Sequence, residues 1–171
     1  PIWKNYFKKN KIKASMQKFE IKPANLKKFL KDIKSNKNFK ATAVTMPYKM
    51  KIFKYIDKYD SYAENAKSIN LIVKKKGKLF GYNTDVFGAY ETIKKLINNY
   101  NLITIIGLGG SGTAIFNFLK NKFKNKSFII VSRKSKTKKS KKINVLKKLN
   151  KNILSKKSLI INCSPLGSDL K

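Results

Sequence analysis

The stretch LITIIGLGGSGTAIFNFL, residues 102–119, constrains the fold of this 171-residue chain more than any other. An apolar, β-branched run leads into Gly107-x-Gly109-x-x-Gly112, after which the apolar spacing becomes that of a helix. Gly107 would permit a tight turn, Gly109 would let backbone N–H groups approach a pyrophosphate, and Gly112 would let the helix pack closely on the strand. The context predicts a dinucleotide-binding strand–loop–helix unit, with a glycine-rich turn that binds no ligand as the alternative.

The segments that follow have the spacing of a parallel sheet. Residues 102–106, 127–132 and 158–163 have the apolar pattern of strands, and helices are expected between them, ending near residues 123 and 150. Strands that alternate with helices in this way form βαβαβ units, so the fold class is α/β. We expect residues 89–171 to be a Rossmann-like nucleotide-binding domain that is incomplete at its C-terminal end.

The first half of the chain predicts a second α/β domain, residues 1–88, with the division falling near residues 86–101. Helices are expected at IWKNYFKKN (2–10) and ANLKKFLKDIK (24–34), and a further helix, AYETIKKLINNY (89–100), would begin the second domain. Strands are expected at ASMQKFEI (14–21), at FKATAVTM (39–46) and on both sides of the Lys-Gly turn in SINLIVKKKGKLFGYN (68–83). Pro47 ends the second of these strands and could open a further helix in its first turn.

Composition excludes several functional classes. The chain has 41 Lys and Arg against 8 Asp and Glu, a net charge of +33, which raises nucleic-acid binding as an alternative. Arg133 is the only arginine, however, and the lysines are spread over every predicted helix, so a solvated lysine coat is the simpler interpretation. Because there is no histidine, a Ser-His-Asp triad and a His-ligated zinc are both excluded, and no metal site is expected.

Cys163 is the single cysteine, so no intrachain disulfide can form and a reducing cytoplasm fits. The apolar runs are too short to span a membrane, and no segment reads as a signal peptide.

The end of the second strand of the Rossmann-like half bears on the choice of dinucleotide. Sites for NAD usually place an acidic residue about 20 residues beyond the glycine loop, where it binds the ribose 2′-hydroxyl. This chain has VSRKSKTKK at residues 131–139, with no acidic residue. A cationic cluster suits a 2′-phosphate, and Arg133 is the informative member because lysines occur everywhere else. The sequence therefore predicts NADP(H).

A lysine and an aspartate are the candidates for proton transfer. Lys49 in TMPYK and Asp85 in GYNTD both follow predicted strands, and ligands of α/β proteins bind at strand ends. Such a pair can exchange a proton with a substrate hydroxyl while hydride passes to nicotinamide; an ordinary structural ion pair is the alternative. Tyr90 and Lys94 match a Tyr-x-x-x-Lys pattern but precede the glycine loop, whereas in short-chain dehydrogenases that pair follows it. We interpret them as helix residues without a catalytic role.

Six motifs resemble those of the shikimate dehydrogenase family. ATAVTMPYK resembles N-V-T-x-P-x-K, AENAKSIN resembles A-x-x-x-G-A-V-N, and GKLFGYNTDVFGA is similar to G-x-L-x-G-x-N-T-D-x-x-G. IIGLGGSGTA matches G-x-G-G-x-x-x-A, VSRK resembles N-R-T, and IINCSPLG resembles I-N-A-T-P-x-G. The motifs occur in the family's order and spacing across nearly the whole chain.

The resemblance implies roles for individual residues. Lys49 and Asp85 would be the catalytic pair, and with Thr45 and Asn70 they would bind the substrate. The residues implied to bind the dinucleotide are Gly107, Gly109, Gly110, Ser111, Gly112, Ser132, Arg133, Lys134 and Ser164. Among these, Arg133 would contact the 2′-phosphate and Ser164 would lie near the nicotinamide.

Two further residues, Asn83 and Thr84, would shape the turn that presents Asp85. Six positions depart from the family's motifs and bear on fine specificity: Ala41, Ala43, Lys67, Ser132, Lys134 and Ser168.

The function implied is the NADPH-dependent reduction of 3-dehydroshikimate to shikimate, in the pathway to chorismate and the aromatic amino acids. We expect a cytoplasmic monomer or homodimer with a small-molecule substrate and no nucleic-acid or membrane partner. A quinate or quinate/shikimate dehydrogenase that uses NAD is the alternative in the same class; a basic nucleic-acid-binding protein is the alternative in another. The family's serine pair would precede Pro1 and its C-terminal helices would follow Lys171. We therefore expect a fragment, with strand 102–106 at an open edge of its sheet.

Overall fold

The computed structural model describes residues 2–133 and 137–165, which form an α/β fold with two sheets. The helices are α1 (Ile2–Lys9), α2 (Leu26–Ser35), α3 (Ser61–Ala66), α4 (Thr84–Ile93), α5 (Gly110–Lys122) and α6 (Lys151–Leu154). The strands are β1 (Ala41–Ala43), β2 (Lys58–Tyr59), β3 (Leu71–Lys75), β4 (Lys78–Tyr82), β5 (Leu102–Ile106), β6 (Ser127–Val131), β7 (Lys138–Lys139), β8 (Ile143–Leu146) and β9 (Leu159–Asn162). Short 3-10 helices lie at Pro23–Asn25, Phe53–Tyr55 and Ile97–Asn99.

The first sheet has the strand order β1-β3-β4-β2. Its centre is the predicted hairpin, in which β3 and β4 run antiparallel and the chain reverses at Lys76 and Gly77, both with positive φ. This conformation suits a two-residue turn because its twist matches that of the strands. The predicted apolar stripe of α2 covers this sheet with Leu26, Leu30 and Ile33, all buried in one cluster with residues of β3 and β4.

The second sheet has the order β7-β8-β6-β5-β9, and its strands β8, β6, β5 and β9 are parallel. The strands predicted at 102–106, 127–132 and 158–163 are thus confirmed. Ile103 and Ile105 on β5 are fully buried, and α5 packs against them through an apolar face that includes Phe118 and Leu119. The expectation that strand 102–106 lies at an open edge is wrong, because β9 pairs along it from Ile103 to Ile106.

The helix predicted to end near residue 150 is absent from the described residues 137–150. In the described part of this stretch, β7 and β8 extend the sheet, and the only α-helix nearby is the short α6. Strand β8 pairs in parallel with β6 from Phe128↔Ile143 to Val131↔Leu146. The lysine-rich sequence fits the outer face of a helix, but backbone N–H groups along the edge of β6 donate to carbonyls of this stretch, from Phe128 N to Lys142 O at 2.7 Å and from Ser132 N to Leu146 O at 2.8 Å. Sheet pairing therefore overrides helical periodicity.

The segment ASMQKFEI is not a strand either. Residues 11–20 are all exposed, and Met16 and Phe19 point their apolar side chains to the surface. Alternation of apolar and polar residues predicts a strand only where a partner strand supplies hydrogen bonds and a buried face, and no strand within the described ranges pairs with this segment. Beyond β1, residues 46–52 form turns that lead into the 3-10 helix Phe53–Tyr55, so the α-helix expected after Pro47 is also absent.

Helices of the two halves pack together. Tyr62 on α3 stacks on Phe118 of α5 with ring centroids 5.3 Å apart. Two amides of α5 bind carbonyls near the C-terminal end of α3: Asn117 Nδ2 donates to Ala66 O at 3.3 Å, and Asn121 Nδ2 donates to Asn65 O at 2.9 Å. The domain boundary predicted between residues 88 and 89 falls inside α4, and the division into two domains stays a prediction.

The N-terminal helix α1 has no buried residue. Its Trp3 is half exposed and lies beside the rings of Tyr6 and Phe7, with centroids 5.9 and 5.8 Å away. Together with residues 12–22, β1 and the turn at Thr45–Tyr48, this helix lines a cavity of about 1400 Å³. Within the described part of the chain, no helix has the length and apolar character needed to cross a bilayer.

Candidate functional site

The two residues expected to transfer a proton lie in contact. Lys49 Nζ is 2.6 Å from Asp85 Oδ2, although 36 residues separate them in the chain. The side chain of Lys49 is 21% exposed and that of Asp85 is 43% exposed, so the pair is open to a ligand on one side and sheltered on the other. The backbone also fixes Lys49, because Ile69 N donates to Lys49 O at 2.7 Å. A pair that is both held and accessible can exchange protons with a bound molecule.

Asp85 is placed by the start of α4. Asn83 is the N-cap residue: its Oδ1 accepts from Val86 N at 2.9 Å, and its Nδ2 donates to Ser68 O at 2.8 Å. Asn83 is 1% exposed, so both hydrogen bonds are shielded from water. Asp85 lies in the first turn, where the helix dipole favours a carboxylate. The structure thus agrees with the prediction that Asn83 shapes the turn that presents Asp85.

Asn70 reaches the same helix end. Its Oδ1 accepts from Thr84 N at 2.9 Å, and its Nδ2 donates to Thr84 Oγ1 at 2.8 Å. The residue is half-buried immediately before β3, and its carbonyl accepts from Val44 N at 2.8 Å. Asn70 is therefore brought beside the residue that precedes Asp85.

Thr45 lies at the rim of this region, on the turn that leads to Lys49. It is exposed and lines the large cavity, whereas Lys49 and Asp85 do not line it. This cavity is therefore adjacent to the Lys–Asp pair and separate from it. Because hydrogen-bond geometry locates a site better than volume does, we place the candidate active site at the pair.

The glycine loop has the geometry that its sequence predicts. Gly107 has φ +93°, a conformation that favours glycine. A Cβ on Gly112 would lie 2.0 Å from Gly107 O, so only glycine lets α5 approach β5 this closely. A Cβ on Gly109 would meet nothing within 4 Å, so the space in front of the loop is open.

The N-terminus of α5 fits an anion. Gly109 is its N-cap residue, no side chain caps it, and its first turn contains no acidic residue. Ser111 is exposed in that turn, and Gly110 faces Met46, whose Sδ would lie 3.8 Å from a Cβ on that glycine. A 13-residue helix with uncapped N–H groups at an open loop can bind a pyrophosphate. The proximity of Met46 was not predicted, because its motif position carries no fixed residue type.

The remaining residues expected to bind the dinucleotide lie beyond the carboxyl ends of β6 and β9. Ser132 is buried and its N–H donates to Leu146 O at 2.8 Å, so its backbone belongs to the sheet. Arg133 is exposed directly after it, and Lys134 lies outside the described residues. Ser164 packs against the loop, since a Cβ on Gly107 would be 3.0 Å from Ser164 N, and its Oγ donates to Asn162 Oδ1 at 2.7 Å.

Cys163 adjoins the same loop. It is half-buried, with its Cβ 3.1 Å from the position of a Cβ on Gly112, and burial raises the pKa of its thiol. A raised pKa disfavours the reactive thiolate, so Cys163 fits a small packing residue better than a nucleophile.

The chain is similar to known proteins over almost its whole length. A family model, the shikimate dehydrogenase substrate binding domain, matches residues 1–72. The shikimate dehydrogenase (NADP(+)) of Clostridium botulinum is 34% identical over 172 residues, which cover 97% of this chain and 66% of that protein. The chain thus spans slightly less than two thirds of that relative's length.

Solved structures of shikimate dehydrogenases are also similar to this chain in fold. Shikimate dehydrogenase 1 from Peptoclostridium difficile matches with a TM-score of 0.67 and 27% identity, covering 97% of this chain and 62% of that one. A shikimate dehydrogenase solved in complex with NADP⁺ matches with a TM-score of 0.62 and 32% identity, covering 78% of this chain and 46% of that one.

Two sheets, a glycine loop at a helix N-terminus and a Lys–Asp pair define an α/β chain with a Rossmann-like second half. With the sequence and structural matches above, the chain belongs to the shikimate dehydrogenase family.

Proposed function

We propose that this chain carries the catalytic pair and the dinucleotide loop of an NADP-dependent shikimate dehydrogenase, which interconverts 3-dehydroshikimate and shikimate. The observation that supports this most directly is the 2.6 Å contact between Lys49 Nζ and Asp85 Oδ2. Family membership supplies the substrate class, because the similar proteins are named for it. The cytoplasmic location and the monomeric or dimeric state remain predictions.

The proposed chemistry is a coupled transfer of a proton and a hydride. When bound, the nicotinamide supplies the acceptor for hydride from the carbon that bears the reacting hydroxyl. The Lys49–Asp85 pair takes the hydroxyl proton, so that the C–O single bond becomes a carbonyl, and it returns the proton in the reverse direction. Asn70 and Thr45 bind the substrate near the pair and orient it.

The proposed cofactor is NADP(H). The open N-terminus of α5 and the glycine loop would hold the pyrophosphate, and Ser164 beside Gly107 lies where the loop meets β9. Arg133 follows β6 and is exposed, a position from which its guanidinium can bind a 2′-phosphate. The name of the Clostridium botulinum relative and the NADP⁺ complex of a solved relative support the same choice.

The experiment uses the protein expressed from its complete reading frame and measures shikimate oxidation with NADP⁺. We expect Lys49→Ala and Asp85→Asn each to lower kcat by roughly 10²-fold or more, because each removes a positioned proton-transfer group. Lys94→Ala is the matched control, since Lys94 also pairs with a carboxylate, that of Glu91, but on the outer face of α4. That variant should keep near-normal kcat. Near-normal kcat in Lys49→Ala or Asp85→Asn would refute the catalytic assignment.

A further inference from the structure

We infer that Thr84 is a positioning residue that fixes which polar atoms of Asn70 face the substrate. The inference rests on the proposed function, because it concerns the Asn70 carboxamide as a ligand of the substrate's hydroxyl groups. It assigns a role to the Thr84 side chain beyond that of opening α4.

Both ends of the Asn70 carboxamide bind the same residue. Oδ1 accepts the Thr84 backbone N–H at 2.9 Å, and Nδ2 donates to the Thr84 hydroxyl at 2.8 Å. A flipped amide would place its NH₂ group against the Thr84 N–H, donor against donor. Since a backbone N–H cannot act as an acceptor, only one orientation keeps both bonds.

The backbone of Asn70 is fixed independently. Its N–H donates to Tyr82 O on β4 at 3.0 Å, and its carbonyl accepts from Val44 N, directly after β1, at 2.8 Å. The side-chain torsions are the remaining freedom, and the Thr84 hydroxyl restricts them. The carboxamide then retains one N–H and one lone pair of Oδ1 for a ligand, which matches a hydroxyl that both accepts and donates.

Thr84 also links this ligand group to the catalytic pair. It is the first residue of α4 and directly precedes Asp85, while Asn83 caps the same helix end. The Asn70 carboxamide is therefore aligned to the helix turn that carries the Asp85 carboxylate. Loss of the Thr84 hydroxyl would loosen the substrate's orientation and leave the Lys49–Asp85 contact in place.

The test compares three variants of the protein from the complete reading frame. Thr84→Val keeps the β-branched shape and removes the hydroxyl acceptor, whereas Thr84→Ser restores a hydroxyl. Thr92→Val is the matched control, because Thr92 lies on the same helix and its Oγ1 donates only within that helix, to Gly88 O at 2.9 Å. Steady-state kinetics with shikimate and NADP⁺, a pH profile of kcat and a thermal melt are measured for each.

We expect Thr84→Val to raise KM for shikimate by about 3- to 10-fold, as for the loss of one hydrogen bond between neutral groups. The KM for NADP⁺ and the pH profile should stay as in the wild type, Thr84→Ser should recover most of the loss, and Thr92→Val should show none of it. If the wild type is active, two results for Thr84→Val would overturn this inference and leave the proposed function standing. One is an unchanged KM for shikimate, and the other is an equal rise in the KM for shikimate and the KM for NADP⁺. A wild type that does not oxidise shikimate would overturn the proposed function and this inference with it.

Discussion

Arg133 is the only arginine in the chain, and every other basic side chain is a lysine. It is exposed directly after β6, at the carboxyl edge of the parallel sheet where the glycine loop also lies. A guanidinium binds a phosphate through two parallel hydrogen bonds, which an ammonium cannot do. Its position is therefore the one most suited to discriminate between the two nicotinamide dinucleotides.

We expect Arg133→Ala to raise KM for NADPH by about 10- to 100-fold and to leave NADH use nearly unchanged, as for the loss of one charge-assisted contact. Initial-rate kinetics with both cofactors check this. Lys124→Ala is the control, because Lys124 is exposed at the opposite end of β6 and its loss changes the net charge equally. Equal losses with NADPH and NADH in Arg133→Ala would mean that the residue supports the fold and does not discriminate.

Sequence patterns predict which residues form the candidate site better than they predict the hydrogen bonds between those side chains. The proximity of Lys49 and Asp85 follows from two strand ends of one sheet, and the roles of Gly107 and Gly112 follow from their spacing. The two hydrogen bonds between the Asn70 carboxamide and Thr84 depend on rotamers set by tertiary packing. No periodicity or motif encodes such rotamers, so sequence reasoning missed it.

At the scale of elements, the N-terminal turn of α5 approaches the loop after β5 most closely at one small residue, Gly112. Because a Cβ on Gly112 would lie 2.0 Å from Gly107 O, any side chain there forces the helix away from the loop. Gly88 on α4 offers the matched contrast: it is also a helical glycine, but a Cβ there meets nothing within 4 Å.

We therefore expect opposite effects from the same substitution. Gly112→Ala should lower the free energy of unfolding by about 1–3 kcal/mol through overpacking and should weaken dinucleotide binding. Gly88→Ala should raise it by about 0.5–1 kcal/mol, because alanine loses less backbone entropy in a helix. Urea unfolding and a dinucleotide titration measure both. If Gly112→Ala were as stable as the wild type, the close contact between α5 and the loop would be disproved.

Elements with a strong internal pattern were predicted, and those that depend on a neighbour were not. Helix α2, the β3–β4 hairpin and strands β5, β6 and β9 have patterns that hold whatever surrounds them. Strand β8 exists because the edge of β6 accepts it, and residues 14–21 fail to form a strand because the described part of the chain supplies no partner. Both errors arise from tertiary context overriding local propensity.

At the scale of the molecule, one buried cluster joins the two halves. It includes Ala66 and Val86 from the first half with Ile103, Ile105 and Phe118 from the second. Phe118 is 3% exposed and contacts Tyr62 and Tyr90 with ring centroids 5.3 and 5.2 Å away. Since no separate core isolates the glycine-loop helix from α3, the halves should unfold together.

We expect Phe118→Ala to lower the free energy of unfolding by about 3–5 kcal/mol and to reduce hydrogen-exchange protection in β4 and β5 alike. Phe87→Ala is the control, because Phe87 also contacts Tyr62 but is 46% exposed and should cost about 1 kcal/mol or less. Protection lost in β5 and retained in β4 would show instead that the two halves unfold independently.

The position of Trp3 determines what optical spectroscopy can detect in this protein. As the single indole, it dominates emission excited near the red edge of protein absorption, and it lies on α1, which has no buried residue. Its emission spectrum therefore reports whether α1 keeps its place along the cavity that it lines with β1 and the turn at Thr45–Tyr48.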